Sequence, residues 1–598
     1  MHDLAGAVVT NRKHKLMACS ALLGAWLVVP GAASAQMSDA DKIQALERQT
    51  QLLQKQLQEQ SELMRRQSEL MQQQLKEVKD ELARTRGKTE KVEASSQKVE
   101  AKAAAPSLPA APPRQSAKSP IFKAPPPAEE KVKVTLGGFV TADTVWRQRN
   151  MVADMGTPFN AIPFPFSPLY DEHEFHGSAR ESRISLLIEG KIDPWQEVAG
   201  YFETDFLGVG GSTAAGVAES NYNQSNSWPM RLRQGYVTYD NSGWGFHFLA
   251  GQAWSLATQN QIGMTPRKEN IPITIDANYV VGFNYVRQWQ IRAVQEVAPG
   301  VSLGVSIENP AEIVGASTAV APAGTGGAFA SGGLVNGVVV NFANIAGGGG
   351  FLNGVSVTTD QIPDIIEKAA FDPGWGHYEI FGLQRFFTDH TLTCIAGACV
   401  AGSTAMTGPT TTKTNFGAGV GGSVLLPLIP KYLEFTGSFL YGRGISRYGA
   451  AQLADVTIAA DGSLTPLTGL SALVGLIGHP WDGLDVYAYA GMEQVSASFF
   501  NVGTTLFGFG NPGFSNVGCT IVTPFSFAGG IPANCIGNNR RVSDVTVGFW
   551  QNVYKGNYGR VAVGAQYAYI KREVFEGIGG APSTDDNIIL TSIRYYPF

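Results

Sequence analysis

From about residue 132 to residue 598 the chain alternates apolar and polar side chains with a period of two. In 196–207, Val198, Phe202 and Phe206 fall on one face, and Glu197, Tyr201, Glu203 and Asp205 on the other. Near the end, Val561, Val563, Ala565, Tyr567 and Tyr569 alternate with Arg560, Ala562, Gly564, Gln566 and Ala568. Successive strand residues point to opposite sides of a sheet. A water-soluble sandwich alternates too, but it buries its apolar face against a second sheet. A barrel in a bilayer turns that face to lipid and its polar face to a wet interior. The pattern predicts strands at 132–146, 180–192, 196–207, 230–240, 244–254, 287–297, 301–308, 363–372, 376–388, 412–426, 432–445, 466–477, 484–497, 541–554, 559–573 and 588–598. That is about 16 strands, an even number that closes an antiparallel barrel with both ends on one side. The fold class read from the chain is therefore all-β, a transmembrane antiparallel β-barrel over 131–598. No run of 18 apolar residues exists beyond the N-terminal segment, which excludes spanning helices.

The terminal strand breaks the parity. Counting back by twos from Phe598 gives Tyr596, Arg594 and Ser592, whereas the apolar set is Ile589, Ile593 and Tyr595; Pro597 is expected to mark a bulge there. Two long intervals, 311–361 and 498–540, interrupt the rhythm and are expected to be external or pore-folded loops. Trp244, Trp254, Trp289, Tyr595 and Tyr596 cluster at predicted strand ends, as an interfacial girdle requires.

Ahead of the barrel the period changes. Ile43, Thr50, Leu57, Met64, Met71, Val78 and Thr85 recur every seven residues, with Leu46 and Leu53 continued by Gln60, Gln67 and Gln74. This predicts an α-helical coiled coil within 36–102, with polar layers that fix register and a stutter after Met71. At 1.5 Å per residue, forty-odd such residues reach roughly 60 Å. Residues 103–130 are rich in Ala and Pro, including Pro125-Pro126-Pro127, and form a semi-extended linker. Residues 1–35 have the layout of a signal peptide: Arg12, Lys13 and Lys15, then the apolar Ala21–Val29, then Ala33-Ser34-Ala35. The basic region begins late, so a start downstream of Met1 fits the layout as well.

Composition agrees with this picture: 16% charged residues, 69 glycines and 10% aromatics. Removing residues 1–35 takes three basic residues and one acid from the totals of 45 and 50, leaving a formal charge of −7. That argues against nucleic acid as a partner, but leaves open the sign of charge inside a pore. Cys19 leaves with the signal. The other four cysteines form two local pairs, Cys394 with Cys399 and Cys519 with Cys535, expected to be loop-closing disulfides in an oxidising compartment. Their spacing does not suit a zinc knuckle.

The charges of interest share the inward parity. Arg183 lies on one face with Ser185, Glu189 and Lys191; Arg231 and Arg233 flank Leu232; Arg292 lies between Ile291 and Ala293. Guanidinium groups facing a narrow aqueous passage bind carboxylates and concentrate anions. Alternatively, these arginines pair with Glu197, Glu203, Asp205 or Glu296 across the wall and only stiffen it. Asp171-Glu172-His173-Glu174-Phe175-His176 has metal-binding residue types, but a charged loop beside Pro163, Pro165 and Pro168 is the simpler reading. No serine sits in a hydrolase motif. Neither a catalytic site, a metal nor a cofactor is expected.

Several phrases in sequence order resemble the DcaP-like outer-membrane porins. They are Leu136-Gly137-Gly138-Phe139-Val140-Thr141-Ala142-Asp143, Arg180-Glu181-Ser182-Arg183-Ile184, Met230-Arg231-Leu232-Arg233-Gln234-Gly235-Tyr236 and Ala250-Gly251-Gln252-Ala253-Trp254-Ser255. Gln290-Ile291-Arg292, Ile307-Glu308-Asn309-Pro310, Pro363-Asp364-Ile365-Ile366 and Asp372-Pro373-Gly374-Trp375-Gly376-His377 follow. The resemblance implies a homotrimer of sixteen-stranded barrels in the outer membrane, with periplasmic coiled coils and diffusive uptake of small anionic solutes such as dicarboxylates. It also implies that Arg180, Arg183, Arg231, Arg233 and Arg292 line the constriction; Lys191 is a pore-lining candidate from the alternation, which sets it on the face of Arg183. Arg180 has the wrong parity relative to Arg183 for one regular strand. Two rival readings differ in class: a structural protein that contacts the cell wall through its coiled coil, and a channel for larger neutral solutes such as sugars. The second would place aromatic slides in the lumen.

Overall fold

The computed structural model describes residues 132–208, 229–315, 339–341, 360–393, 409–459, 463–502, 505–522 and 535–598. The expected signal segment, coiled coil and linker lie outside the described residues. So do Cys394 and Cys399, and with them the first of the two expected disulfides.

The wall is built from Val132–Arg147, Arg183–Lys191, Gln196–Asp205, Arg231–Asn241, Phe246–Trp254, Arg287–Ala298, Val301–Glu308 and Asp364–Phe371. It continues with His377–Thr393, Thr410–Ile429, Leu433–Arg443, Thr468–Trp481, Leu484–Val495, Asn539–Gly556, Gly559–Val574 and Ser583–Tyr596. Each runs antiparallel to its chain neighbour. The first also pairs with the last, from Val140 opposite Tyr595 to Arg147 opposite Ile588. The result is a closed sixteen-strand barrel, in which no edge is left unpaired in the lipid. Every strand predicted from the alternation is present. Two short strands, Glu174–Ser178 and Val339–Asn341, extend the same sheet.

Seven short turns and both barrel termini share one end; the long connections share the other. Trp195, Trp244, Trp375, Tyr432, Trp481 and Tyr558 sit in or beside six of those turns, where aromatic rings bridge lipid and water. The outward faces carry Val132, Val134, Leu136, Ile184, Ile188, Val198 and Phe202, all exposed.

Two details correct the parity expectations. The last strand runs in unbroken register against its neighbour and ends at Tyr596. No bulge lies at Pro597: Ile589, Ile593 and Tyr595 face out, and Ser592, Arg594 and Tyr596 face in. A true bulge occurs elsewhere. Gln234 pairs with Glu203 and Leu232 with Thr204, leaving Arg233 as the extra residue. A bulge re-aims side chains, so Arg231, Arg233 and Gln234 all turn inward.

The lumen is not uniformly polar. On the long-loop side, Val145, Val542, Ile570, Ile588 and Leu590 face inward and are fully buried. They pack against Met155, Phe159, Ile162, Ile275, Val281, Leu453 and Phe509 from loops folded into the mouth. The barrel therefore contains an apolar core of its own, made of loop side chains.

Candidate pore constriction

The connection 255–286 builds the site. Its Leu256, Met264, Ile275, Val280 and Val281 are at most 1% exposed; a loop this apolar must find cover, and it finds it inside the barrel. Wall carboxylates hold its backbone. Glu308 accepts from the Leu256 N–H, Glu379 from Asn260, Asp544 from Val281 and Glu493 from Gly282, at 2.8–3.2 Å. Gln566 accepts from Ile275 at 2.6 Å. Lys368 donates to the Leu256 and Thr258 carbonyls at 3.1 and 2.8 Å and pairs with Glu379 at 2.7 Å. Buried polar groups without such partners would oppose folding by about 1–3 kcal/mol each. Glu493 also accepts from Ala451, so one carboxylate pins two loops. Glycine makes the approach close enough: a Cβ on Gly491 would collide with the Val281 carbonyl, and one on Gly282, at φ +88°, with that of Ala472.

Between this loop and the wall lies a cavity of about 510 Å³. Its wall side spans the seam where the first strand meets the last. Phe139 and Tyr596 rings lie 5.3 Å apart. The Arg183 guanidinium lies 5.3 Å from the Phe139 ring, Arg594 is 4.8 Å from Phe139 and 4.6 Å from Trp550, and Arg560 is 3.9 Å from Tyr596. Rings under guanidinium groups orient them and leave their N–H edges available. The loop side presents Ile271-Pro272-Ile273, with the Ile273 carbonyl accepting from Trp550 Nε1 at 2.7 Å.

The acids of the cavity divide the arginines into two groups. Arg233 is nearly inaccessible and donates to Glu203 at 2.7 Å, Asp205 at 2.8 Å and Tyr279 at 3.2 Å. Arg231 grips Asp205 with two bonds, at 3.0 and 2.7 Å. Arg594 pairs with Glu181 at 2.8 Å. By contrast, Arg183 reaches Glu203 only at 4.0 Å, and its Nε has no hydrogen-bond partner among the described residues. Arg560 donates to neutral Asn552 at 3.2 Å. Arg267, exposed on the loop at φ +66°, donates to the Tyr236 hydroxyl at 3.3 Å. On the same loop, burial pushes the Glu269 and Asp276 carboxyls above their usual range; Arg292 and Arg267 partly offset this at Glu269, and Thr157 and Arg147 at Asp276.

The residues singled out from sequence scatter accordingly. Arg183 and Arg233 line the cavity. Arg231 stands beside it, tied to Asp205. Arg180 lies between strands, paired with Asp154 and donating to the Phe206 and Gly208 carbonyls at 3.0 Å, so it knits two loops together. Arg292 is buried beneath the inward loop, donating to Gln290 at 3.0 Å and to the Trp254 carbonyl. Lys191 is exposed at the short-turn end of its strand. Glu174, from the acidic-histidine segment, is buried against Arg147 at 3.0 Å and accepts from Ala153. Of the two expected disulfides, the one between Cys519 and Cys535 is formed. The pair expected between Cys394 and Cys399 has no counterpart among the described residues, because Cys394 and Cys399 both fall outside them.

Sequence reading missed Arg560 and Arg594, although both have inward parity, and missed the inward loop 255–286. The described parts of 311–361 and 498–540 lie at the long-loop end and do not form this cavity. The expectation that aromatics sit chiefly at strand ends is incomplete too: Trp254, Tyr279, Phe283 and Tyr285 form a cluster inside the barrel, with ring centroids 5.0–5.9 Å apart.

No family model matches the chain, and no curated protein matches it. Solved structures similar to it include the outer-membrane channel DcaP of Acinetobacter baumannii. That alignment has 16% identity over 79% of this chain and 100% of the other, with a TM-score of 0.49. The anion-selective porin from Comamonas acidovorans aligns at 11% identity over 78% and 99% of the two chains, TM-score 0.37. Salmonella typhi OmpF, in complex with daunomycin, aligns at 9% over 78% and 98%, TM-score 0.37.

Proposed function

We propose that this chain is a passive porin of an outer membrane that admits small anions. The observation that carries the reading is the cavity inside a closed sixteen-strand barrel, in which Arg183 and Arg560 present guanidinium edges that no wall carboxylate fully claims. An anion entering there exchanges part of its hydration for these donors, and the weakness of the contact lets it leave. Arg267 on the facing loop supplies a third cation, while Arg231 and Arg233 serve mainly to neutralise Glu203 and Asp205 and fix the wall. The position of Val132 at the short-turn end supports a periplasmic side for that end and for the segment before it; assembly as a homotrimer through the 36–102 coiled coil belongs to the same proposal. The chain acts as a channel and performs no chemistry on its solute.

The test is swelling of liposomes containing the full-length protein in isosmotic solutions. Faster swelling in sodium gluconate than in lysine hydrochloride is expected. Equal or reversed rates would overturn the anion preference, and no swelling from correctly folded protein would overturn the porin.

A further inference from the structure

Building on that reading, we infer that the cavity is shaped for amphipathic monocarboxylates, anions with one charged end and an apolar body, in preference to dicarboxylates. The two sides of the cavity are chemically unlike. On the wall, Arg183 and Arg560 lie over Phe139 and Tyr596 and keep N–H edges for one carboxylate. Across from them, Ile271-Pro272-Ile273 offers apolar side chains, and the Ile273 backbone is already engaged. The Ile273 carbonyl accepts from Trp550, and its N–H donates to the Tyr489 hydroxyl at 3.3 Å. The side chains of this strip have nothing to offer a second polar end.

Charge points the same way. The remaining cations of the cavity wall are committed: Arg233 to Glu203 and Asp205, Arg594 to Glu181. The loop carries one cation, Arg267, which donates to the Tyr236 hydroxyl at 3.3 Å, and two acids, Glu269 and Asp276, which outnumber it. A dianion would therefore hold one end on Arg183 and Arg560 and set the other against apolar side chains and a loop whose acids outnumber its single cation, Arg267. A monoanion sets its ring or chain there instead and removes apolar surface from water. A volume of about 510 Å³ lies in the range of sites for ligands well beyond the smallest diacids.

The experiment is single-channel recording of the full-length protein in planar bilayers, with cyclohexanecarboxylate, acetate and succinate added at matched ionic strength. Burying on the order of 60 Å² of ring against the loop corresponds to about a ten-fold gain. Cyclohexanecarboxylate should thus interrupt the current at about one-tenth the concentration needed for acetate or succinate. Ile271→Ser with Ile273→Ser should abolish that advantage, so that cyclohexanecarboxylate blocks at the same concentration as acetate. Should the double variant fail to fold, the comparison of the three blockers on the unaltered protein stands alone. Succinate blocking as well as cyclohexanecarboxylate, in an anion-selective channel, overturns this inference and leaves the porin reading intact. A cation-selective or silent channel overturns both.

Discussion

Exchanging Arg183 and Arg233 in turn for Met separates a selectivity residue from a scaffold residue of the same chemistry. Arg233 is 3% exposed and shares two charged contacts, at 2.7 and 2.8 Å, with Glu203 and Asp205, themselves 8% and 1% exposed. Removing one partner of a buried pair leaves uncompensated charge and costs about 3–5 kcal/mol. Asp205 keeps Arg231, so the lower end of that range is expected. Arg183 is 28% exposed and 4.0 Å from Glu203; such a pair contributes about 0–1 kcal/mol. The order reverses for permeation. A unit charge acting on an ion about 5 Å away is worth about 0.8 kcal/mol in bulk water and more in a narrow site, which is about four-fold in local anion concentration. Arg183→Met should therefore lower the chloride-to-potassium permeability ratio at least about four-fold with little change in urea unfolding. Arg233→Met should unfold at clearly lower urea. Reversal potentials measured across a ten-fold KCl gradient, set beside urea titrations of the folded protein in detergent, give both readouts. An unchanged ratio in Arg183→Met, or equal stability of the two variants, would refute the division of the arginines into selecting and structural groups.

Other consequences follow from the loop and its anchors. Glu493→Leu leaves the Gly282 and Ala451 N–H groups without their acceptor, at about 1–3 kcal/mol each; the barrel should still form, with larger and noisier single-channel currents. Quiet wild-type currents in that variant would show that the carboxylate does not hold the loops. Gly491→Val pushes against the Val281 carbonyl and should likewise raise conductance by displacing the loop from the wall, which solute-exclusion measurements with polyethylene glycols would report. Burial raises the Glu269 carboxyl, so it takes up its proton above the ordinary glutamate range as pH falls. Each protonation removes a negative charge from the cavity, and anion preference should rise on acidification. The folded state holds this proton more tightly than the unfolded chain, so the contribution of Glu269 to stability is greatest below the ordinary glutamate range and declines as pH rises through the raised value. Reversal potentials recorded between pH 5 and 8 in the wild type and Glu269→Gln check this; a pH response that survives the substitution assigns it to another group.

Why the strands were legible and the constriction was not has a physical basis. Lipid on one side and lumen on the other impose a period of two on every wall segment, so the alternation around Val198–Asp205 or Val561–Tyr569 identifies strands and their faces together. Inward parity, however, only states that a side chain points into the barrel. Arg292 and Arg183 share it, yet one lies under the loop and the other in the cavity, because the loop covers one part of the wall and not another. The bulge at Arg233 is invisible to a strict count by twos. The inward loop left a trace in its composition: Met264, Ile271-Pro272-Ile273-Thr274-Ile275 and Tyr279-Val280-Val281 are too apolar for a surface connection. Arg560 and Arg594 were legible as inward residues; their meeting with Arg183 depends on closure of the barrel, which places strands from opposite ends of the sequence side by side.

The most direct test of the account is the zero-current potential of the unaltered full-length protein in a planar bilayer under a ten-fold KCl gradient. Arginine edges exposed at the constriction predict a potential of the sign set by chloride, together with discrete conductance steps. A potential set by potassium, or discrete steps with no selectivity, would contradict the claim that Arg183 and Arg560 govern the passage.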